Sequence, residues 1–216
     1  MKKNLTEIVF ILDRSGSMAG LEDDTIGGFN ALIEKQRTEP GEAYVSTVLF
    51  DNYSEVIHDR VALDWVPKMT RKEYYVRGCT ALLDAVGGAI KHISTVHRYA
   101  REEDRPEKTL FVITTDGMEN ASRRYHYPEV RQMIEKQKRD HGWEFLFLGA
   151  NIDAAREAAR FGITEDRAAN YHADRQGTAV VYEAVSETVC NFRAHKPMQA
   201  NWKEKIDRDF GKRSKN

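Results

Sequence analysis

The residues best suited to chemistry in this chain are Asp13, Ser15 and Ser17, three oxygen-bearing side chains at alternate positions directly after the apolar run Ile8-Val9-Phe10-Ile11-Leu12. The run has the make-up of a buried strand, and in open α/β sheets ligands bind just outside the carboxyl ends of strands. The three side chains offer oxygen and no sulfur or imidazole. Hard cations such as Mg²⁺ take oxygen ligands in near-octahedral geometry at about 2.0–2.1 Å. Two further oxygen donors stand at comparable places. Thr80 lies in Gly78-Cys79-Thr80-Ala81-Leu82 ahead of a helical pattern, and Asp116 lies in Ile113-Thr114-Thr115-Asp116-Gly117 at the end of another apolar run. If the strands are parallel, Asp13, Ser15, Ser17, Thr80 and Asp116 converge on one edge of a sheet.

Two carboxylates and three hydroxyls would hold a divalent cation without over-neutralising it, so the cation stays attractive to an incoming anion. A dedicated Ca²⁺ cage would use more carboxylates and leave no position open. Mg²⁺ is the expected ion, with Mn²⁺ or Ca²⁺ acceptable to the same donors. No neighbouring residue reads as a general base for metal-bound water, so a binding site is expected rather than an enzyme. Taken singly, each motif has a plainer explanation. Asp and Ser favour turns and helix caps, Thr80 is placed to cap the helix that follows, and Asp-Gly is a common turn. Their conjunction argues for the cation.

The elements that must position these residues follow an alternating pattern. Strands are expected at 6–12, 43–50, 109–115, 143–148 and 168–172, and helices at 21–37, 81–99, from Pro128 to about 139, at 154–161 and at 178–192. Asp51-Asn52-Tyr53 reads as a turn into a short return strand beginning at 54–57, which adds one antiparallel edge. The stretch 61–77 has no regular period, and 101–108 reads as a charged loop. The expectation is an α/β, doubly wound, mostly parallel central sheet with one antiparallel edge strand and helices on both faces. Beyond His195 the composition turns charged and poor in large aliphatic residues. Residues 1–194 are therefore expected to form one domain and 195–216 a loosely ordered tail pinned by Trp202.

The bulk composition narrows the classes. The chain has 216 residues, 31% of them charged, yet a net charge of −1, which gives no electrostatic case for nucleic acid or a membrane surface as a general partner. The basic tail residues Lys212, Arg213 and Lys215 are too few and too mixed with acids to change that. Two cysteines imply no disulfide framework. Met1-Lys2-Lys3-Asn4-Leu5 lacks the apolar core of a signal peptide, and no apolar run approaches the roughly 20 residues of a membrane span. A cytoplasmic monomer is expected.

In order and spacing, Asp-x-Ser-x-Ser after a first strand, Gly-x-Thr before a helix and Asp-Gly after a later strand resemble the von Willebrand factor A domain, the fold of integrin inserted domains. The resemblance covers residues 5–193, and none of the five positions departs from the family pattern. The flanks Asp13-Arg14-Ser15-Gly16-Ser17-Met18 and Thr80-Ala81-Leu82-Leu83-Asp84-Ala85 are similar to intracellular bacterial members more than to adhesive extracellular ones. The resemblance implies a metal-ion-dependent adhesion site. In it Ser15 and Ser17 ligate directly, and Thr80 ligates directly in the ligand-competent state. Asp13 and Asp116 act mostly through bound water, and Asp116 can change to direct contact as the last helix shifts. The remaining coordination position takes a Glu or Asp from a protein partner.

Two other readings stand beside this one. A phosphatase or phosphotransferase of the haloacid dehalogenase kind also places an Asp after its first strand, but needs a second Asp two residues on, where this chain has Ser15. A scaffold could use the metal purely as a structural staple. Around the site, Glu119 and Asn120 read as a solvated loop, Cys79 as a buried thiol, and Gly87-Gly88 as close packing against the sheet. Gly16 and Gly78 read as points of tight turning or close backbone approach. Tyr74, Tyr75 and Arg77 read as edge packing or partner contacts. None of the seven histidines reads as a ligand.

Overall fold

The apolar runs become strands because their side chains are buried on both faces, and the helical periods become helices because only one face of each is apolar. The computed structural model describes residues 1–214. In chain order the elements are β1 (Lys2–Asp13), α1 (Glu22–Arg37), β2 (Glu42–Phe50), β3 (Ser54–Ala62), α2 (Leu82–Tyr99), β4 (Pro106–Thr115), α3 (Tyr127–His141), β5 (Glu144–Ala150), α4 (Ala154–Arg160), β6 (Ala168–Tyr171), α5 (Arg175–Arg193) and α6 (Glu204–Arg213). The six strands form one sheet in the order β3-β2-β1-β4-β5-β6. Every pairing is parallel except the β2–β3 hairpin at one edge. This is the doubly wound architecture with a single antiparallel edge that the periodicity implies.

The alternation along β1 divides the core. Ile8, Phe10 and Leu12 face α1, α5 and α6, where Phe10 meets Phe29 edge to face at 5.3 Å. Val9 and Ile11 face α2, α3 and α4, against Val86, Ile90 and Ile134. Pro128 stands in the first turn of α3, where its missing N–H costs nothing, and Gly142 ends that helix in the left-handed conformation, φ +63°.

Three expectations are corrected. β1 and β3 are longer than their apolar cores suggest, and β4 begins at Pro106, inside the stretch read as a charged loop. Strand pairing there is set by the neighbouring backbone, so polar residues are carried into the ladder. The third correction concerns the tail. Residues 200–203 form a 3-10 turn and α6 follows it, docked against β6 and α5 rather than loose. Trp202, Ile206 and Phe210 make one helical stripe. Ile206 is 1% exposed, the Trp202 indole N–H donates to the Asp166 carbonyl at 2.8 Å, and Phe210 stacks on His172 at 4.6 Å. Arg213 closes the contact with a 2.6 Å ion pair to Asp174. Three well-placed apolar residues suffice once the body of the fold supplies the opposite surface, and α6 also covers the short edge strand β6. Lys215 lies outside the described residues. No helix among the described residues is long and apolar enough to cross a membrane.

Candidate metal centre

The site grows out of the parallel ladder. Leu12 pairs with Thr114, which sets Asp13 beside Thr115 as β1 and β4 end together. Asp13, 1% exposed, accepts the Ser15 amide on Oδ1 at 2.7 Å and the Thr115 hydroxyl on Oδ2 at 2.6 Å. The first bond turns the chain and carries Ser15 and Ser17 over the strand end, their hydroxyl oxygens 3.1 Å apart. Ser17 Oγ donates to Asp116 Oδ1. Asp116 Oδ2 is buried and has no hydrogen-bond partner among the described residues.

Thr80 arrives from the other side. Its amide donates to Asn120 Oδ1 at 2.9 Å, the Asn120 amide donates back to the Thr80 carbonyl at 3.0 Å, and the Ala81 amide donates to the Asp51 carbonyl at 2.8 Å. A Cβ placed on Gly117 would lie 3.4 Å from Thr80 Oγ1 and 3.5 Å from Ser17 Oγ, so the two hydroxyls converge on the space above that glycine. The Thr80 loop is tied to the Ser15 loop by Gly16 N–H to the Gly78 carbonyl at 3.1 Å and Arg77 N–H to the Arg14 carbonyl at 2.9 Å. Gly78 has φ +68°, and a Cβ there would sit 1.9 Å from Asn52 Oδ1, so this turn admits only glycine. The structure thus brings Asp13, Ser15, Ser17, Thr80 and Asp116 to one edge of the sheet.

The electrostatics favour a cation. Neither Asp13 nor Asp116 has an ion-pair partner among the described residues. Burial pushes the Asp13 carboxyl above its ordinary value, against hydrogen bonds from Ser15 and Thr115 that hold it down. Burial, with the nearby Asp13 charge adding to it, raises Asp116 from 3.8 to about 6 despite its bond from Ser17. Two buried carboxyls without a counter-charge, one with an unpartnered oxygen, and three hydroxyls beside them fit a divalent oxygen-ligated ion. No group of three or more His, Cys, Asp or Glu side chains suited to a metal exists among the described residues, so hydroxyls have to supply the balance here.

Beneath the site lies a network the motifs did not announce. Arg14, between Asp13 and Ser15, is fully buried. Its Nε donates to Asp51 Oδ2 at 2.9 Å, Nη2 to Glu55 Oε2 at 2.7 Å and Nη1 to the Glu73 carbonyl at 3.1 Å. Asp51 Oδ2 also accepts from Arg77 Nε at 2.8 Å. Burial alone would raise the Asp51 carboxyl, but Arg77, the Tyr53 amide and Arg14 outweigh it and hold it below 3.8. Tyr74 is buried, and its hydroxyl donates to the Asp13 carbonyl at 2.5 Å. The network fastens β2, the Tyr74–Thr80 stretch and the end of β1 into one frame. An Arg inside a run of small polar residues, with Asp51 ending the adjacent strand, is the signal that could have revealed it.

Several readings around the rim change. Asn120 and Glu119 lie in a loop, with Asn120 exposed, but their side chains hold structure: Asn120 accepts the Thr80 amide, and Glu119 accepts amides of Leu83, Ala121 and Ser122 at 2.7–2.9 Å, satisfying a free donor of the first turn of α2. Cys79 is exposed, because its amide donates to Asn52 Oδ1 and its side chain is left outside. Gly87 packs against the Tyr125 ring, not the sheet, and Gly88 faces open space. His92 and His97 pair with Asp59 and Glu7, away from the centre.

No protein-family model matches the sequence, and no curated protein is detectably similar to it. Solved structures do match. Mussel byssus proximal thread matrix protein 1 with a zinc-occupied metal-ion-dependent adhesion site is 14% identical, with a TM-score of 0.58 over 86% of this chain and 46% of that one. A von Willebrand factor type A protein from Catenulispora acidiphila is 14% identical, with a TM-score of 0.58 over 86% of this chain and 42% of that one. The manganese-loaded TRAP protein of Plasmodium vivax is 20% identical, with a TM-score of 0.51 over 69% of this chain and 58% of that one. The chain therefore has the von Willebrand factor A fold, and it spans about half the length of the structures it matches.

Proposed function

We propose that this protein is a divalent-metal-dependent protein-binding module. Asp13, Ser15, Ser17, Thr80 and Asp116 would hold the cation, Mg²⁺ in the cell with Mn²⁺ or Ca²⁺ as substitutes. When bound, the cation supplies a Lewis-acid position for a Glu or Asp carboxylate of a protein partner. The observation that carries this reading is the pair of buried carboxyls, Asp13 and Asp116, without a counter-charge among the described residues and flanked by three hydroxyls. Zinc and manganese bound to two proteins of the same fold support it. The chain's own residues do the rest: Thr115 and Ser17 hold the two carboxyls, Asn120 holds Thr80, and the Arg14–Asp51 pair keeps the loops in register.

We further place the protein as a monomeric accessory or assembly factor inside a bacterial cell, supported by the flanking sequences of the metal motifs, and as a binder rather than an enzyme, supported by the absence of Asp at position 15. The test is capture of a partner from a lysate of the source cell, run with Mg²⁺ and with EDTA. Partner retained only with Mg²⁺, and lost with Asp13→Ala while the circular dichroism spectrum is unchanged, is the expected result. Capture indifferent to both would sink the proposal.

A further inference from the structure

We infer that the groove beside Thr80 recognises an acidic protein segment carrying two carboxylates about four residues apart, one directed at the metal centre and the other at Lys91, Arg123 and Arg124. The inference rests on the proposed capture of a carboxylate at that centre. The groove, about 760 Å³, runs between the β2–β3 turn, the first half of α2 and the loop at 120–125. It starts at Cys79 and Asn120, which flank or hold Thr80. Its floor is one helical stripe of α2, Asp84, Gly88 and Lys91, spaced i, i+4 and i+7. A Cβ on Gly88 would meet nothing within 4 Å, so the floor is open.

The groove is positively charged in a chain that is not. Lys91, Arg123 and Arg124 are exposed, and none is in an ion pair among the described residues. Some other surface cations are paired, as Lys205 is with Glu183 and Glu187 and Arg71 with Asp23, while Lys68, Lys72 and Lys196 have no ion pair among the described residues; the groove differs in bringing three unpaired cations together. Among the described residues Asp84 is the only acidic one lining the groove, and it is committed: its oxygens accept the amides of Arg123, Arg124 and Tyr125 at 2.8–2.9 Å. It fixes the loop that presents the two arginines without pairing with their side chains. Tyr53, 75% exposed, adds a flat apolar wall.

The distances set the ligand. Lys91 lies nine residues beyond the start of α2, about 14 Å along the helix axis at 1.5 Å per residue. An extended chain, at about 3.3 Å per residue, covers that in about four residues. A patch of three cations is small for nucleic acid, whose binding grows with the number of phosphates neutralised.

The experiment uses the full chain and fluorescein-labelled Gly/Ser peptides with one Glu, or with a second Glu four residues on. Anisotropy is read in MgCl₂ and in EDTA, for wild type, Gly88→Glu and Arg123→Ala/Arg124→Ala. Gly88→Glu fills the open floor with like charge and improves helix propensity, so it folds. Metal binding is read separately by Mn²⁺ titration. The second Glu is expected to tighten binding by about three- to tenfold, an increment that salt weakens. Both variants are expected to erase the increment while leaving the one-Glu signal and the Mn²⁺ isotherm unchanged. An EDTA-sensitive one-Glu signal with no increment, or an increment that survives both variants, overturns the groove alone. An increment that is erased by the variants but indifferent to EDTA upholds the groove and overturns the carboxylate-at-metal reading. No binding of either peptide overturns both, and a single-stranded oligonucleotide binding more tightly than the two-Glu peptide overturns the acidic-segment assignment.

Discussion

Replacing Asp116 by Asn should stabilise the metal-free protein, although it removes a residue the proposed function needs. Asp116 is 2% exposed, and among the described residues it has no cationic partner and one unpartnered oxygen. Raising its carboxyl from 3.8 to about 6 separates the two protonation states by at most about 3 kcal/mol, at 1.36 kcal/mol per tenfold. The native state therefore binds the proton more tightly than the unfolded chain. Stability that is fully present below about pH 4 is lost as pH rises through about 6, and at pH 7.5 the whole penalty is in force. Asn keeps an oxygen for the Ser17 hydroxyl and carries no charge. In EDTA at pH 7.5, urea unfolding followed by tryptophan fluorescence should show the variant more stable than wild type by up to about 3 kcal/mol, or about 2–4 °C in Tm per kcal/mol for a chain of this length. At pH 5 the gap should shrink, because wild type is by then largely protonated. Mg²⁺ at about a thousandfold excess over its Kd should invert the order, since only wild type gains about 4.1 kcal/mol from ligand. A variant less stable than wild type in EDTA at pH 7.5, or a gap that does not change between pH 5 and 7.5, would refute the claim that Asp116 is a buried charge awaiting a cation.

The remaining expectations concern the frame around the centre. Arg14→Ala should cost about 3–5 kcal/mol in urea unfolding, because it leaves Asp51 buried with one cation fewer and frees Glu55 and the Glu73 carbonyl. As pH falls below the ordinary carboxyl value of 3.8 and through the lower value at which Asp51 protonates in the fold, its depressed carboxyl progressively stops contributing stability, and the difference between Arg14→Ala and wild type should narrow. Gly78→Ala should weaken Mn²⁺ binding measured by calorimetry at least tenfold, since both its φ of +68° and the contact with Asn52 force the Thr80 loop to move. Ile206→Ala should lower stability by about 2–4 kcal/mol in thermal melts, whereas an unstructured tail would give no change.

Much of this protein is legible along the chain because its signals are local. Strand runs such as Ile8–Leu12 and helix periods such as those of α2 report which faces are buried, and Asp13, Ser15, Ser17, Thr80 and Asp116 each sit where such a run stops. Where a single residue must satisfy partners far away in sequence, local pattern is silent. Arg14 occupies a variable position of the first motif, and its three partners come from 37 to 59 residues away. Glu119 and Asn120 look like a polar turn until the structure shows which amides, in α2 and the Thr80 loop, they satisfy. Cys79 is exposed where its residue type suggests burial, for the same reason: a small apolar side chain has no local marker of the direction in which a tight loop will turn it.

What the sequence by itself determined is the set of donors and their order, because strand ends, glycines and oxygen side chains carry their own short-range constraints. What only the tertiary structure decided is that these donors share one small space that no cation of the described residues enters, that a buried arginine locks the frame beneath them, that three cations without an ion pair among the described residues line a groove beside Thr80, and that the last helix docks instead of fraying. Each depends on contacts closed across tens of residues, where burial removes water and leaves a charge or an apolar stripe to be satisfied only by whatever the fold brings to it.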